Sequence, residues 1–267
     1  MKVFISADIE GTGGISHWDE TEKDKRDYPY FAAKMTVEVA SVCNGINGVY
    51  PGSVIFVKDA HGPGRSIDHD VLPRNVVLNR NWARNPYSMM DGIDSSFNGA
   101  IFTGYHSGAG SNGNPMAHTM NGNNIYVKIN GLFASEAIIN YYTALYCGVP
   151  LVMVTGDEAL CNAMKEIEPR LYTVTSIKGR GNSVTSEHPE LIREKLAKTA
   201  GEAVANASRM SLKLPEVFKT EIYFKTHTQA SRAAYYPGAC QMGDHTVGFD
   251  TKNYFEFLTY YMFISSF

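Results

Sequence analysis

At 267 residues, with 44% hydrophobic and 19% charged side chains, the chain has enough length for one large or two modest domains and an ample core. A net charge of −3 with no basic stripe argues against a nucleic-acid partner. The longest apolar run near the C-terminus, Phe255–Ile264, is too short to span a bilayer and carries Glu256, so no membrane partner is expected.

Lys2–Ala7 reads as a buried strand that runs into Asp8-Ile9-Glu10-Gly11. Alternation puts Asp8 and Glu10 on one side of an extended backbone, where like charges call for a cation. His17–Asp27 is dense in charge and reads as a solvated loop or helix start. Phe31, Met35, Val39 and Val42 share a helical face within Tyr30–Asn44, with Gly45 as the expected stop. Ser53–Lys58 is the next strand, ending in Asp59-Ala60-His61, and Val76–Leu78 is a short one. Ser88–Phe97 holds a helical turn, and Ala100–Thr103 is a strand ending in Gly104-Tyr105-His106.

After the Gly/Asn-rich loop Ser107–Asn114, Ile125, Val127 and Ile129 alternate with polar neighbours as a half-exposed strand, turned by Asn130-Gly131. Phe133–Tyr146 is a helix closed by Gly148 and Pro150, Leu151–Thr155 a buried strand, and Glu158–Ile167 a short helix before Pro169. Strands alternating with helices call for an α/β fold, a mostly parallel sheet with flanking helices. The remainder reads as strands Thr173–Ile177, Ile222–Lys225 and Thr246–Phe249 with helices Glu190–Ser208 and Tyr254–Ile264. That gives an expected division into a metal-binding α/β domain, residues 1–168, and a smaller C-terminal α+β unit, residues 169–267.

Cys43, Cys147, Cys161 and Cys240 are widely spaced without a CxxC pair, which argues against a thiolate zinc site. At least three lie in apolar helical contexts that suit buried free thiols. With no signal segment at the N-terminus, a reducing cytoplasm is the expected compartment.

In a parallel sheet, ligands gather beyond the carboxyl ends of the strands. Asp8 and Glu10, Asp59 and His61, and His106 all follow such ends, and Glu136 sits in the first turn of the Phe133 helix. Carboxylates mixed with imidazoles suit zinc, with manganese or cobalt as alternatives. The set is too large for one catalytic zinc and suits a pair of ions, with Asp8 as the bridge. Asp59 is expected to orient His61 or its loop rather than bind metal. His118, between Met116 and Met120, reads on its own as a packed core histidine, and the other five histidines as loop or capping residues.

Ser6-Ala7-Asp8-Ile9-Glu10-Gly11, Lys58-Asp59-Ala60-His61, Gly104-Tyr105-His106, Met116-Ala117-His118-Thr119-Met120 and Asn130-Gly131 followed by Glu136 resemble, in order and spacing, the DppA-type zinc-dependent D-aminopeptidase family. The resemblance is dense to about Asp157. It implies that Asp8, Glu10, His61, His106 and Glu136 hold two zinc ions (Zn2+) per chain, with Asp8 shared. It also implies that His118 is the catalytic histidine, that short peptides containing D-amino acids are the substrates, and that the chain forms a ring-shaped homo-oligomer. Two alternatives stand beside it: a two-metal amidohydrolase or phosphoesterase, and a non-enzymatic metal- or peptide-binding protein. Ser135 and the loop Gly108–Pro115 depart from the family pattern on the substrate side, so the D-preference rests on the resemblance alone.

Overall fold

The computed structural model describes residues 1–265. Its first half runs β1 (Lys2–Ala7), α1 (Tyr28–Val49), β2 (Val54–Asp59), β3 (Val76–Asn79), β4 (Gly99–Tyr105), β5 (Asn124–Ile129), β6 (Leu132–Phe133) and α2 (Glu136–Tyr146). There follow β7 (Leu151–Asp157), α3 (Glu158–Ile167), β8 (Tyr172–Arg180), β9 (Ser183–Ser186) and α4 (Pro189–Ala205). The chain closes with β10 (Phe218–Phe224), α5 (His227–Ala233), β11 (Ala239–Gln241), β12 (Thr246–Thr251) and α6 (Tyr254–Ser265).

Seven strands form the main sheet in the order β3-β2-β1-β4-β7-β8-β9. Every pairing in it is parallel except the β8–β9 hairpin. A second sheet, β11-β12-β10-β5-β6, is antiparallel throughout. Sheet membership crosses residue 168 in both directions, since β5 and β6 join the second sheet and β8 and β9 the first.

Both faces of the main sheet are covered, which explains why Val3, Phe4 and Ile5 run consecutively in β1 rather than alternating with polar residues. Val3, Ile5 and Ala7 pack against α1 and α4 through Met35, Val39, Ile192 and Leu196. Phe4 points the other way, into a core shared by α2, α6 and the second sheet. That second core is strongly aromatic: Phe218, Tyr254, Phe257 and Tyr260 are all buried within it. Each such side chain contributes roughly 1.5–3 kcal/mol of burial energy.

The strands and helices read from periodicity are present, with two instructive differences. Helix α1 does not stop at Gly45 but continues to Val49. A Cβ at Gly45 would lie 2.0 Å from the Ala197 carbonyl oxygen, so the glycine marks where α1 crosses α4 at close range. Phe133 is not helical either. Left-handed Asn130 (φ 52°) and Gly131 (φ 82°) close a hairpin that pairs Phe133 with Lys128, and α2 starts three residues later behind the Ser135 cap. All four cysteines are free; Cys43 and Cys161 are buried, Cys147 is half-buried, and Cys240 is exposed on β11.

Candidate metal centre

Register brings the predicted ligands to one edge. Ala7 pairs with Asp59 on one side and with Thr103 on the other, so β1, β2 and β4 end side by side. Beyond these ends, the Asp8 amide donates to the Thr103 carbonyl at 2.9 Å and the Gly11 amide to the Gly104 carbonyl at 2.8 Å. Gly104 has φ 70°, and a Cβ there would stand 2.2 Å from the Asp8 carbonyl oxygen. The glycine therefore lets the Asp8–Glu10 tip lie against the turn that presents His106. Glu136 enters from the first turn of α2, after Ser135 caps that helix by accepting from the Ile138 amide.

Asp8, Glu10, His61, His106 and Glu136 all converge there, each less than a tenth exposed. Asp8 faces two ways: its Oδ1 lies 3.3 Å from His61 Nδ1, and its Oδ2 lies 3.5 Å from His106 Nε2. Glu10 Oε2 is 3.2 Å from His61 Nδ1, and Glu136 Oε2 is 3.6 Å from His106 Nε2. Two groups with ion-binding spacing result, Asp8-Glu10-His61 and Asp8-His106-Glu136, and they share Asp8. A third, Glu10-His106-His118, overlaps both.

The imidazoles are aimed from behind by backbone carbonyls. A carbonyl only accepts, so the ring nitrogen facing it carries the proton. His61 Nε2–H donates to the Thr21 carbonyl at 2.8 Å, and His106 Nδ1–H to the Ser107 carbonyl at 2.9 Å. The opposite nitrogen of each ring then faces the cluster, where it would offer its lone pair to a bound ion, as metal-binding histidines require. Asp8 Oδ2, Glu10 Oε2 and His106 Nε2 are buried without a hydrogen-bond partner. Orphaned acceptors on mixed carboxylate and imidazole ligands, with their tautomers already set, fit a pair of divalent ions such as zinc.

Electrostatics point the same way. Burial pushes the Asp8 carboxyl well above the usual carboxylate range, and the Glu10 charge beside it adds to the rise. Burial also opposes charge on Glu10 and Glu136, yet the neighbouring imidazoles outweigh it and hold both low. Burial disfavours charge on His61 and His106 in turn, but the surrounding carboxylates raise both above their ordinary value. A cluster in which every group depends on an opposite charge is one that a cation would consolidate.

His118 is not a core histidine. Its Nδ1–H donates to the Met116 carbonyl at 2.9 Å, leaving Nε2 free 3.4 Å from Glu136 Oε1. The ring stacks on His106 with centroids 4.3 Å apart, and Trp18 covers it at 5.2 Å. A cavity of about 390 Å3 opens over Asp8, Glu10, His61, His118 and Glu136, with Trp18 and Thr21 at its wall.

Asp59 stands apart from the ligands. Its Oδ2 accepts from the amides of Ser66 and Ile67 at 2.6 and 2.8 Å, so it holds the loop after His61 rather than the ring itself. Asp157 does the same for the loop after His106, accepting from the Ser107 amide at 2.6 Å and capping α3 through the Leu160 amide. Sequence reasoning passed over Asp157, although a carboxylate ending a parallel strand was the signal that singled out Asp8. Thr21 and Ser107 act through carbonyls, which no residue identity reveals. His17 and His188 cap a 3-10 turn and α4.

Comparison with known proteins bears on the family and the fold. The family model described as D-aminopeptidase matches residues 1–263. A D-aminopeptidase of Bacillus subtilis (strain 168) is 29% identical over 259 residues, covering 96% of this chain and 93% of that protein. Among solved structures, the zinc-dependent D-aminopeptidase DppA from Bacillus subtilis, described as a self-compartmentalizing protease, superposes with a TM-score of 0.92 at 26% identity, over 99% of this chain and 97% of the other.

Proposed function

The chain belongs to the D-aminopeptidase family, and from that premise we propose that it is a zinc-dependent aminopeptidase that removes the N-terminal residue of short peptides containing D-amino acids. The observation that carries this reading is Asp8, whose two carboxylate oxygens face different imidazoles at 3.3 and 3.5 Å, so that it could serve both candidate ligand groups. Asp8, Glu10 and His61 would hold one zinc, and Asp8, His106 and Glu136 the other. When bound, such a pair supplies Lewis acidity at the scissile carbonyl and lowers the pKa of water toward neutrality.

The chain's own residues do the rest. His118 Nε2 carries a lone pair and borders the cavity, so it receives a proton from the attacking water and returns it to the leaving amine. Its stacking on His106, with the tilted Trp18 ring as its other contact, fixes the ring plane for that transfer. The Met120 amide donates to Glu136 Oε1 at 2.6 Å, which holds the carboxylate facing His106. Trp18, Thr21, Glu22, Lys23 and Asp24 wall one side of the opening.

We also infer that the chain assembles into a homo-oligomer, a ring that encloses its active sites; the self-compartmentalizing character of the DppA neighbour supports this.

Metal analysis paired with hydrolysis of D-Ala-D-Ala and L-Ala-L-Ala, before and after chelation, tests the reading. The expected result is about two zinc ions per chain and chelator-sensitive cleavage of the D-peptide. Absence of bound zinc after supplementation, or cleavage that survives chelation, would overturn it.

A further inference from the structure

Beside the metal cavity lies a second one of about 500 Å3, whose walls include Trp82, Met120, Ile139, Asn140, Leu258 and Tyr261. Two of these residues, Trp82 and Met120, also line the metal cavity, so the two spaces share a partition. That partition is tied to the ligand-bearing segments. Trp82 Nε1–H donates to the carbonyl of Gly62, next to His61, at 2.7 Å, and the Met120 amide is bound to Glu136. Met120 is held at φ 64°, a left-handed conformation that a non-glycine residue adopts only under constraint.

Arg84, Asn85, Ser88 and Ser265 also line these walls, and the polar groups nearest the shared partition are already engaged. Asn140 Nδ2–H donates to the Tyr105 hydroxyl at 2.9 Å, and the Tyr261 hydroxyl donates to the Thr119 carbonyl at 3.3 Å. What remains to face the cavity is largely hydrocarbon and aromatic ring, the lining of a site for apolar groups. Neither His118 nor Trp18 borders this space.

We propose that this cavity receives the side chain of the peptide's N-terminal residue and selects large apolar side chains, of leucine or phenylalanine size, over alanine. The proposal rests on the peptidase reading above, in which His118 serves the leaving amine. The leaving portion therefore lies on the His118 and Trp18 side. The N-terminal residue lies opposite, against Met120 and Trp82. Extra methylenes on that residue then leave water for an apolar pocket, while methylenes on the second residue do not.

Calorimetric titration of the zinc-loaded full chain with D-leucinol and D-alaninol tests this, because both are primary amines without a scissile bond. D-leucinol should bind about tenfold tighter or better, the scale expected for burying its additional carbons. Leu258→Trp, which fills the cavity, should bring the ratio close to one. Met120→Ala, which leaves the core side chains in place, should change the ratio in a protein whose melting confirms that it is folded. In cleavage assays kcat/KM should rise from D-Ala-D-Ala to D-Leu-D-Ala and stay level for D-Ala-D-Leu. Equal binding of the two amino alcohols, a ratio indifferent to both substitutions, or a gain confined to the second residue would overturn the proposal. Preference for D-leucinol without cleavage of any peptide would sink the peptidase reading, and the substrate role with it, and leave the cavity only as a site for apolar amines. Cleavage of D-Ala-D-Ala with no D-leucinol preference would do the reverse.

Discussion

Glu38 offers a quantitative test of how the loop after Glu10 is held. It lies on α1, buried at 5% exposure, with Oε1 accepting from the Gly13 amide at 2.9 Å and Oε2 without a partner. Burial lifts its carboxyl from 4.5 to about 7, against the pull of the Gly13 amide, Lys34 and Arg193. The folded protein therefore keeps a proton that the unfolded chain releases above its lower value. The sign follows: the folded state binds more protons in this window, so stability falls as pH rises from 4.5 to about 7. The gap of about 2.5 pH units corresponds to roughly 3 kcal/mol, withheld in full only above the folded value. Glu38→Gln retains an acceptor for Gly13 and cannot ionise. Urea unfolding of both proteins between pH 4.5 and 8, at fixed zinc, should show the variant gaining on the parent by about 3 kcal/mol across that range. Contributions from the metal cluster are common to both proteins and cancel in the difference. Parallel stability profiles would refute the argument and mean that Glu38 is ionised in the folded protein.

Removal of the His118 imidazole in His118→Ala should cut turnover by about 10²–10⁴-fold with zinc content unchanged; lost zinc, measured by metal analysis, would make His118 a ligand alongside Glu10 and His106. Asp8→Asn should lower zinc per chain, and in chelator at pH 8 the variant should unfold at higher urea than the parent, because a buried charge beside Glu10 is gone. Chelation of the unsubstituted protein should lower its melting temperature, and zinc should restore it in a concentration-dependent way. Gly104→Ala combines a left-handed backbone with a contact on Asp8, and should cost more than about 2 kcal/mol in urea unfolding.

Much of the site was legible because parallel sheets place chemistry at strand ends, and the strands themselves were plain in the sequence. Once Ser6–Ala7, Lys58 and Thr103 are recognised as terminal residues, Asp8, His61 and His106 fall at one edge whatever the loops do. His118 was not legible in that way. It lies in an irregular segment beyond any strand, and its flanking methionines gave it the pattern of a core residue. Its place is set by the Met116 carbonyl two residues back, the ring of His106 and the cover of Trp18 a hundred residues away, contacts that no residue pattern announces. The same limit applies to Gly45, where local chemistry says stop and tertiary packing against Ala197 says continue. The second sheet was hidden for a related reason. Antiparallel pairing of β5 with β10 joins segments about ninety residues apart, and nothing in either segment names the other. That pairing matters to function, because β5 follows the His118 loop directly while α6, which packs on the sheet, supplies Leu258 and Tyr261. Candidate ligand positions thus follow from local strand chemistry, whereas the residues that would shape substrate choice depend on how the two sheets are brought together.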